Sequence, residues 1–220
     1  DSDASIVPAE LQFHSCGMRM KVQAKNSSGV IEKAVLESAL VGEFNASNLL
    51  AALAGLLVLD ISLTDACRAL VRVPSVPGRV QMVNPEKAAS EPAVVVDFAH
   101  TPDALEKVLS SLRRHCSGKI WCVFGCGGDR DAGKRPLMGA VVARDADEMV
   151  ITSDNPRSEA PARIIADIVK GIPQQHAFQI MENREQAVEY AVLNAAAEDL
   201  ILLAGKGHEL PAETLQGNTA

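Results

Sequence analysis

Four short segments of the sequence gather glycine, charged and amide residues, and each directly follows a short aliphatic run. They are residues 97–102, 125–135, 153–159 and 205–209. The second and third segments contain four basic side chains, Arg130, Lys134, Arg135 and Arg157. Because arginine presents a planar fork of donors that matches a carboxylate or a phosphate, this concentration of basic residues favours an anionic ligand.

The third segment contains the motif Asp154-Asn155-Pro156-Arg157, which combines an acid, an amide, a rigid turn and a guanidinium group. An amino acid requires such a mixture, because Arg157 can pair with its carboxylate while Asp154 or Glu209 accepts from its ammonium group. The alternative interpretation is an Asx-type turn that opens the next helix, with Arg157 solvated. Since Arg130 and Glu209 follow other predicted strands and should lie at the same edge of the sheet, we favour the amino-acid ligand.

The first and second segments carry a carboxylate, a histidine and a glycine-rich turn. Asp97 ends an aliphatic run, and a charge so placed usually faces a cleft, a metal or a basic partner. His100 precedes Thr-Pro-Asp, where Asp103 can cap a helix, and a lone histidine there is more often structural than catalytic. The turn 125–128 allows close approach of the backbone to a ligand, with a mobile surface turn as the alternative. It matches neither the dinucleotide fingerprint nor the phosphate-loop motif.

The elements that position these segments alternate regularly in the second half of the chain. We predict strands over 93–98, 119–124, 148–152, 178–181 and 200–204 and helices over 103–115, 136–144, 161–172 and 184–197. Short strands alternating with longer helices indicate βαβ units and a parallel sheet. Ligands bind at the carboxyl ends of the strands in such sheets, so the four segments should meet at one edge.

The first half of the chain has a different pattern. Residues 1–40 predict two or three antiparallel strands with a tight turn at 26–29. The run 49–59 is apolar nearly all round and predicts a buried helix, and a second, amphipathic helix follows over 62–71. Prolines and glycine then interrupt the chain, and the polar stretch 84–92 has the composition of a linker. We therefore expect a domain boundary in this region.

Composition limits the classes of protein to consider. The 220 residues are 47% hydrophobic, 22% charged and only 3% aromatic, which predicts a globular protein with an aliphatic core. The net charge of −7 argues against a nucleic-acid-binding surface, and no uncharged apolar run approaches the roughly 20 residues of a membrane span. The five cysteines lack the close paired spacing of a zinc site, so we expect no metal ligands among them, and their odd number in an aliphatic-rich chain predicts reduced thiols in the cytosol.

Six motifs resemble those of the Mur ligases in order and spacing. They are Gly42-x-Phe44-Asn45-x-x-Asn48-x-x-Ala51-Ala52, Pro77-Gly78-Arg79, Asp97-Phe98-Ala99-His100-Thr101-Pro102-Asp103, the loop 125–136, Asp154-Asn155-Pro156-Arg157 and Gly205-Lys206-Gly207-His208-Glu209. The likeness runs from about residue 41 to residue 209 and is strongest to the members that add 2,6-diaminopimelate. Any single motif would be weak, but six in order make a chance match improbable.

The resemblance implies the C-terminal part of a three-domain bacterial enzyme of the cytoplasm. Residues 1–78 would be the last strands and helices of a P-loop-type central ATPase domain. Residues 79–220 would be the Rossmann-like C-terminal domain, truncated or divergent after about residue 209. The family uses ATP and magnesium to make an acyl phosphate on the glutamate of UDP-N-acetylmuramoyl dipeptide, which the amine of the next amino acid attacks. We expect a monomer that binds small molecules and neither nucleic acid nor membrane.

The resemblance also assigns roles to individual residues. Asn45 and Asn48 would lie on the nucleotide side, and Arg79, Asp97 and His100 would reach ATP from the C-terminal domain and serve catalysis. The amino-acid pocket would comprise Arg130, Asp154, Asn155, Pro156, Arg157, Gly205 and Glu209. In this family, an arginine that ends the Asp-Asn-Pro motif accompanies meso-diaminopimelate, whose distal carboxylate it can bind, and lysine-adding relatives lack it.

The sequence departs from the family pattern in several places. The phosphate loop and the modified lysine are absent, so most contacts to ATP and magnesium would come from parts outside this sequence, and we expect the chain alone to be inactive. Gln81 replaces the usual glutamate, Phe98 replaces the usual tyrosine, and residues 210–220 do not continue the family pattern.

Three other interpretations remain. A folylpolyglutamate synthetase-like ligase shares the architecture but is disfavoured by Asp-Asn-Pro-Arg. A non-catalytic truncated paralogue would bind a ligand or a partner without turnover, and the missing phosphate loop favours it. A nicotinamide dehydrogenase is a distant third, because no glycine fingerprint follows the first strand of the predicted parallel sheet.

Overall fold

The computed structural model describes residues 6–25 and 29–206, which form two units. The first unit, whose elements lie between residues 6 and 70, is a three-stranded antiparallel sheet covered by two helices. The second unit, whose elements begin at residue 81, is a six-stranded sheet with four helices. The predicted mixed α/β class is confirmed. Within the described residues, no helix is both long enough and apolar enough to cross a bilayer.

The first unit is built on one buried face of its sheet. The strands are β1 (Ile6–His14), β2 (Gly17–Lys25) and β3 (Ile31–Ser38), and the helices are α1 (Glu43–Val58) and α2 (Leu63–Leu70). Strand β2 alternates buried Met18, Met20 and Val22 with exposed polar residues, as a strand with one covered face must. These side chains pack with apolar residues of both helices. The predicted antiparallel strands and the two helices are therefore present.

Helix α1 differs from its prediction in extent and burial. It starts at Glu43 rather than at residue 49, and only one face, with Ala46, Leu49 and Leu53, is buried. At its other end, Val58 is 81% exposed and the following Leu59 is 72% exposed. The prediction of a helix buried all round is wrong for the described residues, because the sheet and α2 cover only one side of α1.

The second unit is a mixed sheet in the order β4-β5-β9-β6-β7-β8. Its elements are β4 (Gln81–Met82), β5 (Ala93–Asp97), α3 (Pro102–Arg113), β6 (Ile120–Phe124), α4 (Lys134–Asp145), β7 (Glu148–Ile151), α5 (Pro161–Val169), β8 (Gln179–Ile180), α6 (Arg184–Asn194) and β9 (Leu200–Ala204). All neighbours are parallel except β4, which pairs antiparallel with β5. The predicted parallel sheet is confirmed, and only the two-residue β4 was not predicted.

The polar stretch 84–92 is not a linker between the two units. It connects β4 to β5 inside the second unit, where the Asn84 side chain closes the turn. Its Oδ1 accepts from the Val94 amide at 2.9 Å, and its Nδ2 donates to the Pro92 carbonyl at 3.0 Å. The small and polar residues of this stretch therefore form the connection between two paired strands. Such connections use the same residue types as linkers between domains, so the composition alone could not distinguish the two.

The register of the parallel strands places four loops at one edge. Asp97 at the end of β5 is paired with Ala204 at the end of β9, and Phe124 at the end of β6 is paired with Ile151 of β7. The side chains between the sheet and α3, α4 and α5 form one aliphatic core, and Trp121, Val123 and Ile201 pack on the opposite face with α6. The segments that carry the candidate site residues therefore leave the sheet side by side.

Candidate functional site

One cavity lies at the carboxyl ends of the parallel strands, and we call it the sheet-edge cavity. It has a volume of about 560 Å³ and is lined by Phe98, His100, Thr101, Gly127, Arg130, Asp131, Lys134, Asp154, Asn155, Arg157 and Gly205. The structure thus brings Arg130, Asp154, Asn155, Arg157 and Gly205 together, with Pro156 inside the same loop. Glu209, the last residue of the predicted pocket, lies outside the described residues.

The glycines of the loop after β6 allow this loop to pack closely against the loop after β7. A Cβ added to Gly128 would lie 1.8 Å from the Pro156 carbonyl oxygen, and one added to Gly125 would lie 2.4 Å from the Thr152 oxygen. At Gly127 the Cβ would lie 2.9 Å from Nη1 of Arg157. The expected close approach is therefore to the neighbouring protein loop. At Gly125 and Gly128 the contacts are backbone oxygens, so a residue with a Cβ would force the two loops apart.

Backbone strain accompanies this packing. Arg157 has a φ of 52° and Asp129 a φ of 51°, a left-handed conformation that residues other than glycine rarely adopt. Two cross-links between the loops hold them in place. The Gly128 amide donates to the Asn155 carbonyl at 2.8 Å, and the Ser158 amide donates to the Asp129 carboxylate at 3.0 Å. Strain that the surroundings over-determine is a common property of binding sites.

The guanidinium group of Arg157 is fixed by this arrangement. Its Nη1 donates to the Gly128 carbonyl at 2.8 Å and lies 3.5 Å from the Asn155 carbonyl. Both acceptors are neutral backbone groups, so the positive charge is not neutralised by them. An oriented guanidinium at the wall of a cavity is suited to bind a carboxylate.

Arg135 does not contribute to the predicted cluster of anion-binding residues. Its side chain is only 1% exposed and donates to Glu159 and Asp167, at 2.6 Å and 3.0 Å for the closest contacts. These hydrogen bonds raise the pKa of Arg135 and, together with the Asp129 amide, lower the pKa of Glu159 to about 2. Arg135 joins α4 to α5 beneath the cavity, so this part of the sequence prediction is wrong.

Asp154 supplies a negative charge to the sheet-edge cavity. Its side chain is 12% exposed, and its buried Oδ1 accepts no hydrogen bond from the described residues. The Lys206 ammonium lies 3.5 Å from that oxygen, which is an ion pair without hydrogen-bond geometry, and 3.3 Å from Asn155 Oδ1. A buried acceptor that lacks a donor is costly, so Asp154 is suited to accept from the ammonium group of a ligand.

A second cavity, of about 740 Å³, lies between the two units, and we call it the inter-unit cavity. Helix α1 contributes Phe44, Asn45, Asn48, Leu49 and Ala52; α3 contributes Ala104, Lys107 and Val108; and Arg79, Val80 and Asp97 lie between them. Four of the five residues expected on the nucleotide side, Asn45, Asn48, Arg79 and Asp97, therefore share this cavity. The fifth, His100, lines the sheet-edge cavity instead.

Asp97 lies at the boundary between the two cavities, where its carboxylate binds the backbone of two neighbouring segments. It is only 5% exposed, its Oδ2 accepts from the Val80 amide at 2.8 Å, and its Oδ1 accepts from the Ala99 amide at 2.7 Å. The expectation that this charge faces a cleft, a metal or a basic side chain is met in part, because Asp97 lines a cavity but binds backbone amides. Its carboxylate thereby fixes the chain next to Arg79.

The two departures from the family pattern at Gln81 and Phe98 have local functions. Oε1 of Gln81 accepts from the Gly78 amide at 2.9 Å, a contact that a glutamate oxygen could also make. The Arg79 guanidinium lies 5.2 Å from the centre of the Phe98 ring, within the range of a cation–π contact. Both residues therefore hold the segment that carries Arg79 against the end of β5.

The asparagines of α1 are oriented by hydrogen bonds. Asn45 Nδ2 donates to the Val41 carbonyl at 2.8 Å, and its Oδ1 accepts from Asn48 Nδ2 at 3.1 Å. With apolar walls and a few oriented amides, the inter-unit cavity has the general character of a small-molecule site. Within the described residues, no group of three or more acidic, histidine or cysteine side chains is arranged to hold a metal ion.

The comparison with known families decides the identity of this fold. The family model described as "Mur ligase, glutamate ligase domain" matches residues 78–207. The chain belongs to the Mur ligase family. The match to this Mur ligase domain begins next to the boundary between the two units.

Individual relatives agree with the family. The chain is 44% identical over 209 residues, 95% of its length, to the UDP-N-acetylmuramoyl-L-alanyl-D-glutamate–2,6-diaminopimelate ligase of Coxiella burnetii. A solved structure of a ligase with the same name superimposes with a TM-score of 0.78 at 38% identity, covering 97% of this chain and 42% of that one. The chain spans 41% of the length of the curated relatives it matches.

A more distant ligase shares the fold alone. Folylpolyglutamate synthase of Mycobacterium tuberculosis matches with a TM-score of 0.62 at 20% identity, covering 93% of this chain and 46% of that one. The architecture is therefore common to ligases with different amino-acid substrates, and the site residues have to distinguish them.

Proposed function

We propose that this chain is the amino-acid-selecting part of a ligase that adds meso-diaminopimelate to UDP-N-acetylmuramoyl-L-alanyl-D-glutamate in peptidoglycan precursor synthesis. Its identity to the Coxiella burnetii ligase supports this function. The observation that carries it is the charge pattern of the sheet-edge cavity, where Arg130 and Arg157 face the same space as Asp154.

The substrate requires both signs of charge in one pocket. Diaminopimelate carries an ammonium and a carboxylate at each end, and burying these groups without partners would be costly. Arg157, held by Gly128, is suited to the distal carboxylate, and Arg130 adds a second positive charge. Asp154 is suited to the ammonium group, while Asn155 and Gly205 complete the wall of the cavity. Lysine lacks the distal carboxylate and would leave Arg157 without its partner.

The nucleotide belongs in the inter-unit cavity under this proposal. ATP supplies the phosphate that activates the glutamate carboxyl group, and the amine of diaminopimelate then displaces it. Asn45 and Asn48 would hold the base side of ATP, and Arg79 would reach its phosphates with a position fixed by Asp97. His100, whose Nδ1 lies 2.8 Å from the Phe98 carbonyl, borders the sheet-edge cavity and would lie between the two substrates.

The arrangement of the units supports a domain assignment. The first unit would be the end of a central ATPase domain and the second unit the C-terminal domain. The exposed apolar end of α1, with Val58 and Leu59, would pack against earlier parts of that central domain. The complete ligase would act as a monomer in the bacterial cytoplasm, with ATP and magnesium bound largely by those earlier parts.

Calorimetric titration of the chain with meso-diaminopimelate, L-lysine and L-glutamate tests the amino-acid site. We expect meso-diaminopimelate to bind at least tenfold more tightly than either competitor, because only it satisfies Arg157 and Asp154 together. Arg157→Ala should weaken its binding roughly 10- to 100-fold, the equivalent of about 1.5 to 3 kcal/mol for charge-assisted hydrogen bonds. Binding of L-lysine should change little.

Arg68→Ala provides the control, because Arg68 is an exposed arginine on α2, far from the parallel-sheet edge in the fold. It should leave all three titrations unchanged. Equal affinity for meso-diaminopimelate and L-lysine, or unchanged affinity in Arg157→Ala, would contradict the assignment. Preference for L-glutamate would instead favour a folylpolyglutamate synthetase-like specificity.

A further inference from the structure

The first turn of α1 is held by residues of the second unit. Gly42 precedes the helix and has no side chain with which to cap it. The first amides of a helix have no partner inside the helix and must find one elsewhere. Here Ser111 Oγ accepts from the Glu43 amide at 2.7 Å, and His115 Nε2 accepts from the Gly42 amide at 3.0 Å. Both acceptors lie at the C-terminal end of α3, so the cap is supplied across the two units.

The hydrogen-bond partners of His115 determine which of its ring nitrogens carries the proton. Because the Gly42 amide can only donate, Nε2 must be the unprotonated nitrogen. Nδ1 lies 2.8 Å from the His14 carbonyl and therefore carries the proton that donates to it. His115 is 4% exposed, and burial lowers the pKa of its imidazole, which favours the same neutral form. One ring thus connects the end of β1, the start of α1 and the end of α3.

Aromatic and charged groups surround this contact. The Phe13 ring packs edge-on against the His115 ring with centroids 4.8 Å apart, and the Arg114 guanidinium lies 4.5 Å from the centre of Phe13. Arg114 also forms an ion pair with Glu43 of α1. Six separate interactions between the C-terminal end of α3 and the first unit therefore meet within one small area.

The same two helices form opposite walls of the inter-unit cavity. Along α3, Ala104, Lys107 and Val108 line the cavity, and Ser111 follows at helical spacing on the same stripe. His115 lies in the turn directly after the helix. On α1, Asn45 and Asn48 line the cavity within two turns of the capped amides. A change in the cap would therefore change the position of both asparagines relative to α3.

We propose that Ser111 and His115 are positioning residues that latch α1 to α3 and thereby set the location of Asn45 and Asn48 across the inter-unit cavity. The latch itself depends only on the observed contacts. Its effect on catalysis rests on the proposed function, which places the nucleotide in this cavity.

Hydrogen exchange of the chain measured by NMR tests the latch directly. Ser111→Ala removes the acceptor of the Glu43 amide with little change in volume. We expect that amide to exchange about fivefold faster, the equivalent of the roughly 1 kcal/mol contributed by a helix cap. The side-chain amide resonances of Asn45 and Asn48 should shift as well. Ser111→Thr, which keeps the hydroxyl group, should restore the wild-type exchange rate.

Ser110→Ala is the matched control, because Ser110 is the preceding, exposed serine of the same helix. It should alter neither the exchange rate nor the asparagine resonances. His115→Phe keeps an aromatic ring but removes both hydrogen bonds, and we expect it to accelerate exchange of the Gly42 amide. Unchanged exchange of Glu43 in Ser111→Ala, together with unchanged exchange of Gly42 in His115→Phe, would overturn the latch.

Steady-state kinetics of the ligase that contains this chain test the positioning role. Ser111→Ala should raise the KM for ATP about fivefold and leave the KM for meso-diaminopimelate unchanged, because the sheet-edge cavity lies away from α1. Faster exchange with an unchanged KM for ATP would overturn the positioning role and leave the proposed function intact. A wild-type ligase that does not use meso-diaminopimelate would overturn the proposed function, while the exchange rates would still decide the latch.

Discussion

The two cavities of this chain are constructed in different ways. Every residue that lines the sheet-edge cavity belongs to the second unit, and its loops contact each other through backbone atoms. The inter-unit cavity has α1 of the first unit on one side and α3 of the second unit on the other. The shape of the first cavity follows from one folded unit, whereas the shape of the second depends on contacts between units.

Under the proposed function, the sheet-edge cavity recognises the amino acid and the inter-unit cavity holds the nucleotide, so the two sites have different structural requirements. A site that discriminates between similar amino acids gains from rigid, preorganised groups, and the strained Arg157 with its supporting loops fits that requirement. A site that lies between two units can respond to their relative position, and only a few side chains hold that position here. Substitutions in one set of contacts should therefore affect one cavity and spare the other.

The largest effect should come from Arg135, which supports the sheet-edge cavity from below. Arg135→Ala would leave Glu159 and Asp167 without their common partner, and we expect the free energy of unfolding to fall by about 3 kcal/mol. Arg135→Lys should recover only part of this loss, because an ammonium group cannot reproduce the planar fork. Urea denaturation followed by circular dichroism measures the change.

Arg144→Ala is the control for this prediction. Arg144 also contacts two carboxylates, Glu106 and Asp145, but its side chain is 55% exposed, so its loss should not change stability measurably. Equal losses in the free energy of unfolding for Arg135→Ala and Arg144→Ala would show that burial of the guanidinium group does not determine how much its ion pairs contribute to stability.

A smaller effect should result from Gly128→Ala. The new Cβ would lie 1.8 Å from the Pro156 carbonyl oxygen, and the loops would have to separate. We expect a loss of about 2 kcal/mol in the free energy of unfolding, typical of overpacking, and weaker binding of meso-diaminopimelate in the calorimetric titration. The inter-unit contacts of α1 should be preserved, because Gly128 lies in the loop after β6, next to the sheet-edge cavity, and does not line the inter-unit cavity.

Gly55→Ala isolates the effect of the added methyl group. Gly55 lies within α1, and a Cβ there would contact nothing within 4 Å. This substitution should raise the free energy of unfolding by about 0.5 to 1 kcal/mol, because alanine favours the helix over glycine. If Gly128→Ala were equally harmless, the close approach of the two loops would not be required for the site.

The smallest effect should be a pH dependence that comes from the inter-unit contacts. Burial lowers the pKa of His115 in the folded chain, whereas the unfolded chain has the usual histidine pKa of about 6.5. The unfolded chain therefore binds this proton at a higher pH than the folded chain does. The contribution of His115 to the free energy of unfolding is fully present above the unfolded-state pKa. It decreases as the pH falls from that pKa towards the lower pKa of the folded chain. The titratable groups that act on His115 are His14 on β1 and Arg114 on the same chain segment, and Glu43 on α1 pairs with Arg114.

Urea denaturation between pH 7.5 and about pH 5 can detect this dependence. Wild type should lose more stability than His115→Phe over this range, because the variant lacks the titrating ring but retains the other histidines. Ser110→Ala should follow the wild-type curve. Parallel curves for wild type and His115→Phe would show that the proton on His115 does not control the contact.

Much of the fold and of the sheet-edge cavity could be predicted from the sequence. Aliphatic runs such as Val94–Val96 and the helices between them have local periodicities that determine strands and helices without reference to the rest of the chain. Parallel strands then place their carboxyl ends at one edge. This is why Arg130, Asp154 and Arg157 could be expected in a single cavity, as the structure has them.

The tertiary structure alone decided which charged groups face ligands and which support the protein. Arg130 and Arg135 look alike in the sequence, but helix α4 starts at Lys134 and turns Arg135 inward to Glu159 and Asp167. The caps that Ser111 and His115 provide for α1 involve partners 68 and 73 residues apart. Local patterns determine elements because neighbouring residues share a backbone geometry, whereas such pairs become neighbours only when the two units pack together.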